Sequence, residues 1–135
     1  MDTECYCTTL RAATRRLTAR YDAALEPVGV NVAQWGLLRK LARPPGEPIS
    51  IQELADRTEL ERSTAARNVR VLEKHGLVRL GGSAGDRRLA LIELTEQGLA
   101  VLHLGEPLWH QAQREVQTLL GGDQAIELRS LLHAV

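Results

Sequence analysis

The sequence contains no phenylalanine, and aromatic residues make up 3% of its 135 positions. A core with so few rings has to be aliphatic, and the abundance of Leu, Ala, Arg, Glu and Gln favours helices. A chain of this length can bury one real core but is too short for two independent domains. The composition therefore predicts a single, mainly helical domain over 1–135.

The sequence also lacks an apolar run long enough to cross a bilayer and the basic-then-apolar order of a secretion signal. These absences predict a soluble cytoplasmic protein without a membrane partner. Cysteine occurs only as Cys5 and Cys7, and a reducing cytoplasm disfavours a standing disulfide between them. A metal site shared with His103, His110 or His133 has no support, because the spacing of zinc motifs is missing. We therefore expect neither a metal nor another cofactor.

The charges sum to zero, with 17 Lys and Arg against 17 Asp and Glu, but they are unevenly distributed. Basic residues dominate 11–20 and 57–88, whereas acidic residues outnumber basic ones from Glu93 onward. The basic segments suit a phosphate backbone. A net charge of zero therefore does not exclude a nucleic-acid partner, because the distribution of charge matters more than its sum.

Helical periodicity and capping patterns predict three helices in the first part of the chain. Apolar residues at helical spacing predict a first helix over 10–25. The pairs Asn31 with Gln34 and Ser50 with Glu53 both have the spacing of an N-terminal capping box. They predict the starts of a second and a third helix.

The segment 61–75 predicts a fourth helix with two unlike sides. Ala65, Val69 and Leu72 form its buried stripe. Its other sides carry side chains that can bind DNA, namely Arg62, Ser63, Thr64, Arg67, Asn68 and Arg70. Arg can fork onto guanine, Asn can pair with adenine, and Ser or Thr can reach a base or a phosphate. A solvated basic face is the alternative, and the elements that follow favour DNA reading in the major groove.

Two apolar runs, 77–80 and 89–94, follow the fourth helix and predict a β-hairpin. The loop between them is rich in glycine and ends on Arg87 and Arg88, which can enter a minor groove or contact phosphate. Asp86 is expected either to pair with a nearby Arg and support the hairpin, or simply to form the turn. This order of elements is typical of a winged helix-turn-helix, which we place at 46–94.

The part after the hairpin predicts two more helices. Thr95 is expected to cap a long helix with a bend at 105–107, and Asp123 to cap a short final helix. Together with the first helix they carry more apolar residues than one small module has to bury. A homodimer formed by 1–45 and 95–135 would cover them and place two reading helices about one DNA turn apart. Packing within one chain is the alternative. The predicted fold is mainly α with a small β component.

Motifs along the whole chain resemble those of MarR-type transcriptional regulators. The order and spacing of that family are matched by Leu54-Ala55-Asp56-Arg57, Arg62-Ser63-Thr64, Leu72-Glu73-Lys74-His75-Gly76-Leu77-Val78, Asp86-Arg87-Arg88 and Leu94-Thr95-Glu96-Gln97-Gly98. The resemblance implies a dimer that binds double-stranded DNA and controls transcription, usually as a repressor. It also implies a response to a ligand or to oxidation, and a dimer made by the first and the last two helices.

A second resemblance concerns the start of the chain, where the matching positions, in ungapped register, are 7–10, Arg15, Tyr21, Leu25, Gly29 and Gln34. At these positions the sequence resembles the opening of MarR-type sensors of organic peroxides. This resemblance implies that Cys7 is the reactive cysteine and that Tyr21 stabilises its sulfenate. Arg11 and Val32 occupy two positions where those sensors have tyrosine. Arg11 lies one helical turn from Cys7, and a nearby cation favours a reactive thiolate. The alternative is that one of Cys5 and Cys7 is a small buried side chain and the other is incidental.

Trp35, Trp109 and His110 are candidates to line a pocket for a small aromatic ligand, with packing at a junction between helices as the alternative. Two other classes of function stay open. One is a thiol-redox enzyme that uses Cys5 and Cys7, but this sequence predicts neither a strand-helix-strand framework nor a base beside the thiols. A winged-helix module that binds protein without DNA would leave the basic reading side chains without a role. We therefore predict a DNA-binding regulator that is not an enzyme.

Overall fold

Helices dominate the computed structural model of the chain, which describes residues 3–42, 47–83 and 86–135, without the side chains of 82–89. The helices are α1 (Tyr6–Leu25), α2 (Val32–Leu41), α3 (Ile51–Thr58), α4 (Arg62–Lys74), α5 (Glu96–Leu120) and α6 (Gly122–His133). The strands are β1 (Ile49–Ser50), β2 (Val78–Ser83) and β3 (Asp86–Leu94), and a 3-10 turn, Glu26–Val28, joins α1 to α2. This order confirms the predicted, mainly helical winged-helix fold.

The helix starts follow the capping residues. The Asn31 side chain accepts from the Gln34 N–H at 2.8 Å, and the Gln34 side chain accepts from the Asn31 N–H at 3.0 Å. Ser50 Oγ accepts from the Glu53 N–H at 3.1 Å, and Thr95 Oγ1 caps α5 in the same way. Because each bond satisfies a backbone donor that the first helical turn leaves unpaired, local sequence was sufficient to locate these starts.

The sheet has one strand more than the sequence predicted. Its order is β1-β3-β2 with antiparallel neighbours, and Ile49 lies opposite Ile92 while Val78 lies opposite Leu94. Strand β1 is two residues long, so its apolar pattern carries no period. Strand β1 forms because β3 lies beside it in the folded chain. Periodicity along the chain gives no information about that pairing.

The C-terminal helices add one close contact and correct one prediction, the cap of the last helix. Helix α5 continues through Pro107, and a Cβ on Gly105 would lie 2.3 Å from Trp35 Cζ3, so this glycine permits close packing against Trp35. Helix α6 is capped by Gly121, whose φ of 86° ends α5, whereas Asp123 lies in the first turn of α6. A glycine with positive φ stops the preceding helix without a Cβ penalty, and the next helix therefore starts earlier than Asp123.

The core lies where α2, α3, α4 and the sheet meet the end of α1. Its most buried side chains are Leu25, Trp35, Leu38, Leu54, Val69, Leu72 and Ile92. They are aliphatic except for one tryptophan, as the composition predicted. Among the described helices, none is both long enough and apolar enough to cross a membrane.

The start of α1 and the far end of the chain contrast with this core. Tyr6 is 87% exposed and Ile126 is 67% exposed, and no residue of α6 is buried. Leu10, Leu119, Leu120, Leu131 and Leu132 are exposed as well. One protomer therefore leaves uncovered several of the apolar residues that the sequence assigned to a dimer.

Candidate nucleic-acid interface

The turn between α3 and α4 fixes the direction of α4. Glu59 ends α3 in the left-handed region, with φ 56° and ψ 30°, and its N–H donates to Ala55 O. The Leu60 N–H also donates to Ala55 O, at 3.1 Å. A left-handed conformation is costly for a residue with a Cβ, so the packing around the turn has to hold it.

Helix α4 presents a buried and an exposed face, as the sequence predicted. Ala65, Val69 and Leu72 are fully buried. The side chains that alternate with them at helical spacing on the outer face are Ser63, Arg67, Arg70 and Lys74, all exposed. Lys74 was absent from the predicted DNA contacts, although its distance of four residues from Arg70 places it on the same face.

The predicted reading side chains do not all lie on that outer face. Arg62 is exposed at the first position of α4, and Thr64 is half-buried and accepts a long hydrogen bond of 3.5 Å from Arg67 Nη2. Asn68 is half-buried and lines a cavity of about 640 Å³ between α2, the α3–α4 turn and α4. The structure thus brings Arg67 and Arg70 to one surface and places Asn68 at its edge.

The β-hairpin, or wing, is hydrogen-bonded to α4, and an ion pair connects its two strands. Glu73 of α4 accepts from the Leu80 N–H at 3.4 Å, and Arg79 pairs with Glu93 across the two strands at 3.7 Å. The backbone of Asp86, Arg87 and Arg88 belongs to β3, but their side chains lie outside the described part of the structure. Their predicted roles as wing contacts and wing support stay predictions.

The two thiols lie at the start of α1 and are both exposed. Cys5 is the N-cap in an extended conformation, and Cys7 is in the first turn. The Thr8 N–H, the Thr8 hydroxyl and the Cys7 N–H, which lie near the sulfur, lower the pKa of the Cys5 thiol from its ordinary value. The sequence pointed to Cys7 as the reactive thiol, whereas the helix end stabilises a thiolate on Cys5.

Tyr21 is distant from the thiols of its own protomer. It lies four turns along α1 from Cys7, or about 21 Å at 1.5 Å per residue. Its hydroxyl donates to Gln113 Oε1 of α5, and burial raises the pKa of the phenol although the charge of Arg129 opposes that shift. A role of Tyr21 beside Cys7 would therefore need the Tyr21 of a second protomer.

The predicted pocket residues form a packed cluster between α2 and α5. The rings of Trp35 and Trp109 are 6.5 Å apart, His110 meets the Trp109 ring edgewise at 5.0 Å, and Arg39 Cζ lies 4.0 Å over Trp109. His110 Nε2 is 3.1 Å from Glu106 Oε1. Trp35 is 1% exposed, and its Nε1 has no hydrogen-bond partner within the described residues. The cluster connects the two helices by ring packing and a cation–π contact.

The described residues contain no group of three His, Cys, Asp or Glu side chains that could hold a metal ion. The 640 Å³ cavity has an aliphatic floor from α2, with Val32, Ala33 and Leu37, and a polar rim that includes Lys40 and His133. It is a separate place from the tryptophan cluster, which the sequence had proposed for a ligand.

Known proteins share both the sequence and the architecture. Residues 28–89 match the family model described as the MarR family. The M. tuberculosis transcriptional regulator MosR, in a crystal structure with DNA, is 36% identical, and the match covers 97% of this chain and 96% of that one with a TM-score of 0.82. This match leaves only a few residues of either chain outside it.

Two further relatives are similar over different lengths. The uncharacterized HTH-type transcriptional regulator YhbI of Bacillus subtilis (strain 168) is 31% identical over 90 residues, which cover 67% of this chain and 57% of YhbI. The transcriptional repressor CouR, bound to a 23-mer DNA duplex, is 27% identical over 98% of this chain and 92% of that one, with a TM-score of 0.84. A solved structure of CouR bound to p-coumaroyl-CoA is similar as well.

Proposed function

This chain belongs to the MarR family of winged-helix transcriptional regulators, and we propose that it acts as a homodimeric repressor that binds a pseudo-palindromic duplex. The observation that carries the proposal is α4. Its buried edge is anchored in the core, and its outer face exposes Arg67, Arg70 and Lys74 beside a β-hairpin. A helix presented in this way fits a major groove, and the hairpin then lies toward the flanking minor groove.

Within this proposal the contacts divide by chemistry. Arg67 and Arg70 reach base edges, because a guanidinium can fork onto the acceptors of guanine. Arg62, Ser63 and Thr64, at the start of α4, contact bases or phosphates, and Asn68 contributes from the edge of the surface. Arg87 and Arg88 serve the minor groove, supported by Asp86.

The proposed homodimer rests on the uncovered apolar residues of α1, α5 and α6. Helix α6 has no buried residue in one protomer, although Ile126, Leu131 and Leu132 are apolar. Exposed apolar side chains in this number are typical of an interface, and closed twofold symmetry is the commonest arrangement. The same symmetry would place two α4 helices about one DNA turn apart.

The proposed release uses thiol oxidation or a small ligand. A Cys5 or Cys7 thiolate attacks the O–O bond of an organic hydroperoxide, which yields a sulfenic acid and releases the alcohol. The thiols lie at the start of α1, within the proposed dimer region, so their oxidation changes the angle between protomers. CouR binds p-coumaroyl-CoA, and a small ligand of this chain would act by preferring one of the two states.

The test begins with selection of a duplex by the wild-type protein from a randomised pool. Fluorescence anisotropy and analytical ultracentrifugation should then show two protomers on each selected duplex, with affinity that falls steeply with salt. Cumene hydroperoxide should release the wild-type protein from the selected duplex but leave Cys7→Ser bound. The fraction of Cys5→Ser that is released measures the contribution of Cys5. Equal release of the wild type and both variants would remove the thiols from the switch, and a failure to select any duplex would contradict DNA binding.

A further inference from the structure

The C-terminal end of α4 is a Schellman turn. Gly76 has φ 75°, the Gly76 N–H donates to Glu73 O at 2.9 Å, and the Leu77 N–H donates to Leu72 O at 3.0 Å. These two bonds close the helix end in the usual 5→2 and 6→1 pattern. The carbonyl groups of Gly76 and Leu77 take no part in this closure and need other donors.

Thr95, at the start of α5, supplies both donors. Its hydroxyl donates to Gly76 O at 2.6 Å, and its backbone N–H donates to Leu77 O at 3.1 Å. The same hydroxyl oxygen accepts from the Gly98 N–H at 3.0 Å and so caps α5. One half-buried threonine therefore joins the end of the reading helix to the start of the long helix. We name Gly76, Leu77, Thr95 and Gly98 the Thr95 junction.

The junction leaves no space between the two helix ends. A Cβ on Gly98 would lie 2.1 Å from Leu77 O, and a Cβ on Gly76 would lie 3.1 Å from the Gln97 side chain. Gly98 is buried. The first turn of α5 thus lies directly on the turn that ends α4, and a change in the direction of α5 has to move the end of α4.

We propose that Thr95 is a positioning residue for operator binding, which fixes the angle between α4 and α5 and so sets the separation of the two reading helices. This inference rests on the proposed homodimeric DNA reader. Helix α5 has 25 residues and is therefore about 37 Å long. A tilt of about 5° at the junction displaces its far end by about 3 Å, which is close to the 3.4 Å step of one base pair.

Three substitutions of Thr95 separate its capping role from its positioning role. Thr95→Ser keeps a hydroxyl that both donates and accepts. Thr95→Asp keeps an acceptor for the Gly98 N–H, because Asp is a good N-cap, but it has no proton to give to Gly76 O. Thr95→Val removes both side-chain hydrogen bonds, the one donated to Gly76 O and the one accepted from the Gly98 N–H. A role in capping alone predicts that Ser and Asp behave alike, whereas a role in positioning predicts that only Ser behaves like the wild type.

The experiment measures binding to a series of duplexes. A duplex selected by the wild type is remade with its half-sites one or two base pairs closer or farther apart, and affinity is measured by fluorescence anisotropy. The wild type and Thr95→Ser should prefer the selected spacing. For Thr95→Asp that preference should fall about tenfold, the loss expected for one partly buried hydrogen bond. The salt slope should stay unchanged, because the phosphate contacts are the same.

Gly98→Ala keeps the threonine but forces α5 away from Leu77 O, so it should flatten the spacing profile in the same way. It replaces Thr95→Asp if circular dichroism shows that the latter does not fold. A folded Thr95→Asp or Gly98→Ala with the wild-type spacing profile would overturn the positioning role. Absence of any specific duplex for the wild type would instead contradict the proposed function itself.

Discussion

The winged-helix region and the terminal helices differ in how much of their apolar surface one protomer buries. Helices α3 and α4 bury Leu54, Val69 and Leu72 completely, whereas α6 buries none of its residues. The first kind of helix is stabilised within its own chain, and the second kind needs a further surface to cover it. The comparison indicates that the shape of the reading surface is set within one protomer, whereas in the proposed dimer its position on DNA depends on two.

The largest expected effect is on the stability of the winged-helix region, whose apolar side chains are buried within one protomer. Leu72→Ala should lower the free energy of unfolding by about 2–5 kcal/mol, because it leaves a cavity beneath the reading helix. Val71→Ala is the matched control, since Val71 is the next residue of α4 and is 44% exposed; its cost should be within about 0.5 kcal/mol. Urea unfolding measures both. Equal losses would mean that α4 is not anchored as described.

The second largest expected effect is on dimerisation and duplex affinity, and it comes from a change in the terminal helices. Ile126→Asp should dissociate the proposed dimer and reduce affinity for the selected duplex about 100-fold, because a charge on the apolar surface disfavours the contact and each protomer then reads one half-site. Ile126→Leu is the control and should stay dimeric. Sedimentation velocity and anisotropy give the two readouts. A dimeric Ile126→Asp would place the interface elsewhere.

Changes on the reading surface should be smaller and should separate two kinds of contact. Arg67→Ala should relax base preference at one position by about 1–3 kcal/mol, whereas Arg88→Ala should weaken all duplexes alike and reduce the salt slope by about 1. Arg114→Ala is the control, because Arg114 lies on α5 and donates to Gln111. Binding to a panel of single-base variants at several salt concentrations distinguishes them. Wild-type behaviour of both variants would refute the groove assignment.

The smallest effect concerns the start of α1. Because the pKa of Cys5 is lowered in the folded state, its thiolate fraction is larger than in the unfolded chain at pH values below the ordinary thiol range. In Cys7→Ser the pH midpoint of Cys5 alkylation by iodoacetamide should therefore lie lower in buffer than in urea. Thr8→Val removes the hydroxyl donor and should move the midpoint part of the way back. Identical midpoints in buffer and urea would show that α1 frays at this end.

Several features of the fold followed from sequence because their physical causes are local. Asn31 and Thr95 bond to backbone donors within three residues, so their identity predicts a helix start. The spacing of Ala65, Val69 and Leu72 predicts the buried edge of α4 and, by exclusion, the exposed positions of Arg67 and Arg70.

Other features of the fold could not be predicted from the sequence, because they depend on residues that come into contact only in the folded chain. Strand β1 exists through its pairing with β3. Asn68 shares a helix with Arg67 but faces a cavity walled by α2. The lack of a side chain on Gly105 admits the Trp35 ring. In each case the deciding neighbour is far away in sequence.

By itself, the sequence determined the helical class, the caps, the amphipathic reading helix and the resemblance to one family, because propensity, periodicity and capping act over a few residues. The tertiary structure decided that β1 pairs with β3, that Asn68 lines a cavity beside α2, and that Thr95 joins α4 to α5. Those properties arise from hydrogen bonds and close contacts between elements, whose geometry is fixed only when the core packs.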